Sequence, residues 1–341
     1  GGAAAAGAAA LGPLPRCTWQ QTMLRVRDPA KSLEFYRDRL GMTLIDRYDF
    51  DQMGFSLYFL ASLPPGEAAP FAPGSDEAHR HLWQTPLVTL ELTHNHGTEG
   101  DEGFGGYHPG NAERDGFGHL AFSCEDVYAQ CADLEEAGVA FRKRPDEGRM
   151  KGLAFALDPD GYWVEVVGRG PGGDAPALAL AQTMLRVKDP KQSLAFYRDL
   201  LGMTLVAERH YPPEKGDFSL YFLATLPPGL SLPDSKTPEA MDYIKKELYG
   251  QGVPVLELTH NHGTEDDDSF KHHNGNEAPR RGFGHIGYLV EDVYAECEKL
   301  EAAGVQFQKR PDDGAMKGLA FALDPDGYWV EVIQRGQEGK F

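Results

Sequence analysis

Two glutamates stand in the middle of apolar segments that the alternation of side chains predicts to be β-strands. Glu91 lies in the segment LELTHN, and Glu165 lies in the segment WVEVV. Burying a carboxylate in such a strand is costly unless it is paired with a cation, a metal ion or a proton. Both glutamates recur further along the chain in nearly identical segments, as Glu257 and Glu331. We therefore expect the glutamates at these positions to pair with a cation, bind a metal ion or hold a proton.

A glutamine and a histidine accompany the carboxylates. Gln21 shares a strand face with Arg25, His119 opens a strand of small and apolar residues, and both recur as Gln182 and His285. Solvent exposure on half-buried strands is the alternative explanation, but exposed positions have changed between the copies while these have not. One imidazole among oxygen donors suits a divalent metal ion whose octahedral coordination is completed by water. The set has no cysteine, so it does not match a thiolate zinc site, and it has one histidine, so it does not match an iron site with two histidines.

These recurrences belong to a duplication of the whole chain. The segment QTMLRV begins at Gln21 and again at Gln182, and the segment LELTHNHGTE begins at Leu90 and again at Leu256. The offset therefore grows from 161 to 166 residues between these two points. Solenoid repeats run about 20–50 residues, so this period indicates a duplicated domain.

Each copy alternates predicted strands with predicted helices. Helices are expected after Asp28, which Pro29 follows, and after Asp126, because aspartate caps a helix N-terminus and proline fits its first turn. In the first copy the predicted strands are 18–26, 44–48, 55–61, 88–93, 119–123, 141–144, 153–158 and 162–167. Each copy is therefore two βαβββ modules, and the predicted class is α+β with mostly antiparallel sheets.

Composition suggests the domain boundaries. Residues 1–15 are a low-complexity Ala/Gly-rich head that we expect to be disordered. A Gly/Pro-rich linker at 169–177 separates a first domain, 16–168, from a second, 178–335, and a short tail covers 336–341.

The charge of the chain restricts the classes of binding partner, and its cysteine content indicates the cellular compartment. The chain has 33 Lys+Arg against 52 Asp+Glu, a net charge of −19, which repels nucleic-acid backbones and anionic membrane surfaces. No apolar run approaches the ~18 residues of a membrane span. Four cysteines without CxxC spacing favour a reducing compartment. We expect the cytoplasm, with a plastid or mitochondrion as the alternative if the head is residual targeting sequence.

At the four strand positions the sequence resembles glyoxalase I (lactoylglutathione lyase) of the vicinal oxygen chelate superfamily, in its fused two-copy form. The resemblance extends from about Thr18 to Val332 and implies half-barrel sheets around metal sites formed across the copies. It implies one metal site made by Gln21, Glu91, His285 and Glu331. It implies a second made by Gln182, Glu257, His119 and Glu165. Glutamine as the first ligand favours zinc, while nickel, cobalt or manganese fits the same donors.

The resemblance also implies a reaction, the conversion of the methylglyoxal–glutathione hemithioacetal to S-D-lactoylglutathione through an enediolate, which detoxifies methylglyoxal. We expect Glu331 and Glu165 to be the principal bases. Glu91 and Glu257 would act as ligands and as the acid/base partners for the other hemithioacetal stereoisomer. Because one chain holds all four modules, we expect a monomer.

The resemblance implies a set of contacts to glutathione as well. Around the first site these are Arg25, Asn95 and Arg281 for the γ-glutamyl end and Lys309 for the glycine carboxylate. Around the second site they are Arg186, Asn261 and Lys143. Asp115 stands where a second arginine is expected, and an aspartate facing a carboxylate repels it. We therefore expect unequal sites, with the first binding glutathione conjugates more tightly. The alternative is that Arg114, one position from Asp115, supplies the missing charge at the second site.

Two other functions remain open from the sequence. A ring-cleaving dioxygenase or an epimerase of the same superfamily would have a histidine-rich iron set or lack the pair Arg25 and Asn95. A protein that only sequesters a ligand would usually have lost the metal-binding carboxylates.

Overall fold

The computed structural model describes residues 15–337, so residues 1–14 of the predicted head and 338–341 of the predicted tail lie outside the described part. The first copy contains strands β1 Cys17–Val26, β2 Thr43–Phe50, β3 Phe55–Ala61, β4 Thr89–Asn95, β5 Phe117–Cys124, β6 Phe141–Lys143, β7 Leu153–Leu157 and β8 Trp163–Gly168. The second copy contains β9 Ala179–Arg186, β10 Thr204–Tyr211, β11 Phe218–Ala224, β12 Val255–Asn261, β13 Phe283–Val290, β14 Phe307–Lys309, β15 Leu319–Leu323 and β16 Trp329–Gln334.

Short helices connect the strands of each copy. They are α1 Pro29–Leu33, α2 Asp76–Leu82, α3 Val127–Glu136, α4 Pro190–Leu194, α5 Pro238–Tyr243 and α6 Val293–Ala302. Three of them, α1, α4 and α5, continue as π-helical segments at Glu34–Arg39, Ala195–Leu200 and Ile244–Leu248. The expected caps are present, since the Asp28 carboxylate accepts from Ala30 N and the Asp126 carboxylate accepts from Tyr128 N and Ala129 N. The sequence did not predict α2 and α5.

The strands form two eight-stranded sheets, and each sheet takes half of its strands from each copy. Their orders are β14-β15-β16-β13-β1-β4-β3-β2 and β10-β11-β12-β9-β5-β8-β7-β6. Strand β1 pairs antiparallel with β13, while β1 with β4 and β13 with β16 form parallel pairs at the centre. The outer pairs are antiparallel, so the predicted α+β class with mostly antiparallel sheets is confirmed.

The two sheets meet through a shared apolar core. Leu24, Leu185 and Ile286 are fully buried in it. Near its centre the Thr22 and Thr183 hydroxyls, related by the duplication, form a 2.7 Å hydrogen bond. Because each sheet is built from both copies, the domain boundaries at 16–168 and 178–335 stay a prediction about the sequence units.

Candidate metal and substrate site

The first predicted set of four residues converges on one point of the first sheet. Gln21, Glu91, His285 and Glu331 come from its four central strands and are all buried. Gln21 Nε2 lies 2.7 Å from Glu91 Oε2, 2.6 Å from Glu331 Oε2 and 3.0 Å from His285 Nε2. His285 Nε2 is 3.3 Å from Glu91 and 3.2 Å from Glu331. We call this group the first cluster.

The second predicted set converges in the same way on the other sheet. Gln182 Nε2 lies 2.6 Å from Glu257 Oε2, 2.9 Å from Glu165 Oε2 and 3.1 Å from His119 Nε2. His119 Nε2 is 3.4 Å from Glu165 and 3.8 Å from Glu257. This second cluster also draws two residues from each copy, as the resemblance implied.

Each cluster confines two carboxylates in a buried space and therefore needs positive charge or protons. Burial alone would lower the pKa of His285, but Glu331 and Glu91 outweigh burial and raise that pKa to about 9. Burial raises the pKa of Glu331, and it raises the pKa of Glu257 to about 7. A divalent cation would relieve the same repulsion between the carboxylates.

The donor atoms fit a divalent cation. In each cluster the two carboxylates and the imidazole offer ligand atoms within 4.8 Å of one another. Gln21 Oε1 is buried and has no hydrogen-bond partner within residues 15–337. An amide can be turned to exchange its oxygen and nitrogen, which would direct this oxygen at the two carboxylates and the imidazole. Three oxygen donors and one imidazole then face a common centre.

Arginines lie on the same strand face as the clusters. Arg25 Nη2 donates to Asn276 Oδ1 at 2.8 Å, and the equivalent Arg186 Nη2 donates to Asn111 Oδ1 at 2.8 Å. Both guanidinium groups are therefore fixed in orientation, although burial lowers the pKa of each. Such oriented guanidinium groups suit a carboxylate ligand.

Comparison with known proteins assigns the chain to a family. The model of the Glyoxalase/Bleomycin resistance protein/Dioxygenase superfamily matches residues 18–166 and again 179–332. The chain belongs to this family. It is 42% identical over 318 residues to the lactoylglutathione lyase of Schizosaccharomyces pombe, with 92% of this chain and 95% of that protein covered.

Two further relatives agree with this placement. Glyoxalase I of Saccharomyces cerevisiae is 39% identical over 331 residues, with 94% of each chain covered. The crystal structure of glyoxalase I from Zea mays superposes with a TM-score of 0.65 at 25% identity, covering 94% of this chain and 93% of that one. The predicted fold, two fused copies of the glyoxalase domain, is therefore confirmed. Glyoxalase I enzymes depend on a metal ion.

At the first site of this glyoxalase, two further predicted contacts, Asn95 and Arg281, lie at the end where Arg25 lies. Asn95 Nδ2 donates to the Tyr107 hydroxyl at 2.7 Å, and Arg281 is exposed. Arg281 lies close enough to Arg25 to lower its pKa further, in addition to burial. The two guanidinium groups are therefore close enough to repel each other.

The same end of the second site is built differently. Asp115 is buried and accepts from Arg280 Nη1 at 2.6 Å and from Ala112 N at 2.6 Å. Its charge is thus paired with Arg280, a partner that the sequence argument did not foresee. His272 packs edge-on against Phe270 as Tyr107 packs against Phe104 at the first site, and Asn261 is exposed as Asn95 is. The position equivalent to Arg281 is therefore not an arginine at the second site, and the Asp115 charge is paired.

Arg114, the alternative cation next to Asp115, lies over the ring of Phe270, with its guanidinium carbon 5.6 Å from the ring centroid.

The predicted lysines donate to backbone carbonyls of neighbouring strands, and an aromatic ring packs against the first cluster. Lys309 Nζ donates to Leu319 O at 2.7 Å, and Lys143 Nζ donates to Leu153 O at 2.7 Å. Lys309 is near enough to Glu331 to oppose the rise that burial causes in the pKa of Glu331. Phe321 packs edge-on against His285 at 5.3 Å between ring centroids, so the wall of the first cluster here is apolar.

Sequence reasoning missed several residues of the site. Asn111 and Asn276, which fix the arginines, follow glycine in the repeated pair Gly-Asn, a signal that the duplication offered. Tyr107 lies in a loop without periodicity, and the copies differ there. Tyr249, whose hydroxyl donates to Gln182 Oε1, lies where the copies differ in sequence, since the offset places Trp83 at this position in the first copy.

The part of this glyoxalase that the structure describes contains no helix both long and apolar enough to cross a membrane.

Proposed function

We infer that the chain is a lactoylglutathione lyase, the glyoxalase I that isomerises the methylglyoxal–glutathione hemithioacetal to S-D-lactoylglutathione. The observation that carries this inference is the convergence of Gln, Glu, His and Glu from both copies at two buried points. Relatives that this chain matches over nearly their whole length are named lactoylglutathione lyase and glyoxalase I. The reaction detoxifies methylglyoxal.

The carboxylates perform the proton transfer. Glu331 removes the proton from the carbon next to the carbonyl and returns it to the neighbouring carbon, and Glu165 does the same at the second site. Glu331 is buried beside the imidazole of His285, so little water surrounds the carboxylate that accepts the proton. Glu91 and Glu257 serve the other hemithioacetal stereoisomer. A bound divalent ion supplies Lewis-acid stabilisation of the charge on the enediolate oxygens.

The glutathione part of the substrate carries two carboxylates that need fixed cations. Arg25 and Arg281, with Asn95, hold the γ-glutamyl end at the first site, and Lys309 holds the glycine carboxylate. Arg186, Asn261 and Lys143 form the corresponding set at the second site. The hydrogen bonds that Arg25 donates to Asn276 and Arg186 donates to Asn111 support these assignments, because an arginine that is already oriented loses little freedom on binding.

We propose zinc as the resident metal, with nickel or cobalt as alternatives that suit the same donors. A monomer is proposed because one chain supplies every residue of both clusters. The four cysteines are all free and buried, which supports a reducing compartment such as the cytoplasm. An acidic chain of net charge −19 gives no support to nucleic-acid or membrane partners.

The function is tested by metal analysis together with thioester formation from methylglyoxal and glutathione. We expect the purified chain to carry two divalent ions and to form the thioester. Removal of the metal should abolish the reaction, and readdition of zinc should restore it. The double variant Glu331→Gln with Glu165→Gln should lose at least about 100-fold in kcat, because both bases are removed. Full turnover by the double variant would contradict the assignment.

A further inference from the structure

The two clusters differ in what surrounds their glutamine. In the second cluster the hydroxyl of Tyr249 lies 2.7 Å from Gln182 Oε1, and both residues are buried. In the first cluster Gln21 Oε1 has no hydrogen-bond partner within residues 15–337. The offset of the copies places Trp83 at the position of Tyr249, and the indole N–H of Trp83 donates to the Tyr48 hydroxyl at 2.9 Å.

We propose that Tyr249 is a positioning residue that holds Gln182 in place and makes the second cluster bind a divalent cation more tightly than the first. The proposal rests on the proposed function only in requiring that both clusters bind a divalent cation.

The chemistry of a phenol suits this role because its hydroxyl both donates and accepts hydrogen bonds. With Gln182 Oε1 turned toward Tyr249, the phenol donates to that oxygen. With the amide reversed, Nε2 donates to the phenol oxygen and Oε1 is directed toward Glu165 and Glu257. The hydroxyl therefore stays bonded to Gln182 in either orientation of the amide. Partners of this kind behind a metal ligand typically change metal affinity 10–100-fold when they are removed.

The position of Tyr249 is itself fixed by its surroundings. Its ring is 2% exposed and packs in a cluster of apolar side chains that includes Phe222 and Leu248. The next residue, Gly250, accepts a hydrogen bond from Ala175 N at 3.0 Å, so the linker between the copies holds this turn. A phenol fixed in this way orders Gln182 before the cation arrives and lowers the entropic cost of binding.

The test measures zinc affinity one cluster at a time. His285→Ala disables the first cluster and His119→Ala the second, and each full-length chain is stripped of metal and titrated with Zn²⁺ against a chromophoric chelator. We expect the His285→Ala chain to bind zinc more tightly than the His119→Ala chain. Adding Tyr249→Phe should weaken zinc binding 10–100-fold in the His285→Ala background and leave it unchanged in the His119→Ala background.

A matched control and a spectroscopic readout separate positioning from a general loss of structure. Tyr48→Phe removes a buried phenol hydroxyl beside Trp83 and should leave both zinc affinities unchanged. The visible spectrum of Co²⁺ bound in the His285→Ala background should change with Tyr249→Phe, because the Gln182 ligand loses its fixed orientation. The same spectrum should not change with Tyr48→Phe.

The opposite results would overturn the proposal. Unchanged zinc affinity on Tyr249→Phe in the His285→Ala background would do so, as would an equal loss in both backgrounds. If the phenylalanine variant does not fold, Tyr249→Trp replaces it. The indole N–H of tryptophan can only donate a hydrogen bond, so it can bond only to Gln182 Oε1. That bond would hold this oxygen away from the cation, and zinc binding should again weaken. Zinc binding with these differences but without thioester formation would overturn the proposed function and leave the role of Tyr249 supported.

Discussion

Equivalent residues of the two sites have different neighbours, both beside the glutamine of each cluster and around Arg25 and its equivalent Arg186. Where we propose that the γ-glutamyl carboxylate binds, the first site has Arg25 and Arg281, whereas the second has Arg186 and an Asp115 that is paired with Arg280. Losing a charged hydrogen-bond partner costs about 1.5–3 kcal/mol, or roughly a factor of 10–100 in affinity. We therefore expect the second site to bind glutathione conjugates more weakly because it has no arginine at the position equivalent to Arg281. Repulsion by Asp115 is not the cause, since Arg280 pairs with its charge.

This inequality predicts different effects of removing the two bases. At low substrate and saturating zinc, Glu331→Gln should abolish most of the activity, whereas Glu165→Gln should abolish little of it, because the first site carries most of the flux. The measurement is kcat/KM for thioester formation by each variant, and each variant serves as the control for the other. Equal losses in the two variants would contradict unequal sites.

The helices and strands of each copy are joined by buried hydrogen bonds between elements that are distant in the sequence. Asp158, which follows β7, accepts from the Tyr36 hydroxyl at 2.8 Å and from Tyr162 N at 2.8 Å, and Asp324 repeats this arrangement with Tyr197. Burial raises the pKa of Asp158 to about 7 and that of Asp324 to about 8. The free energy of unfolding should therefore depend on pH through these two carboxyl groups.

The sign of this effect follows from proton binding. A folded-state pKa above the ordinary value of 3.8 means that the folded chain holds a proton that the unfolded chain has released. The stability that Asp158 contributes is full below about pH 4 and is lost as the pH rises through about 7, at about 1.4 kcal/mol for each pKa unit.

Asp158→Asn should reduce this pH dependence, and the double variant with Asp324→Asn should reduce it further. Asparagine stays uncharged and keeps an oxygen for the backbone N–H and an amide for the tyrosine. The measurement is the free energy of unfolding in urea at pH 5 and pH 8. Asp133→Asn on the exposed face of α3 is the control and should leave the difference unchanged. An unaltered difference in the double variant would contradict the assignment.

Periodicity predicted most of these elements but not their partners. Apolar alternation marks strands such as β4 and β8 because half of each strand must face a core, and the caps Asp28 and Asp126 mark helix starts. Alternation assigns a residue to a face of a strand, but it does not identify the neighbouring strand. Only the resemblance predicted that β1 pairs with β13 across the copies and that Gln21 therefore lies next to His285. The helices α2 and α5 lie where the copies diverge, so the repeat offered no signal for them.

At the scale of the whole molecule, duplication and pairing across the copies make each site depend on both halves of the chain. The first copy supplies Gln21 and Glu91 to one sheet and His119 and Glu165 to the other. Neither copy alone can complete a cluster as the full chain does, because its own two pairs of residues belong to different sheets. A monomeric half is therefore incomplete, although association of two halves can rebuild a cluster.

Separate expression of residues 16–168 and 178–335 tests this dependence. Each half as a monomer should bind no divalent metal tightly, and metal binding should appear only as the halves associate, so that it rises with protein concentration. The measurement is metal content against molar mass in solution, determined across a dilution series. The full chain is the control, and its metal content should not depend on concentration because the linker keeps both halves together. A monomeric half that carries a full equivalent of metal would contradict the pairing of β1 with β13 and of β5 with β9 as the basis of the two sites.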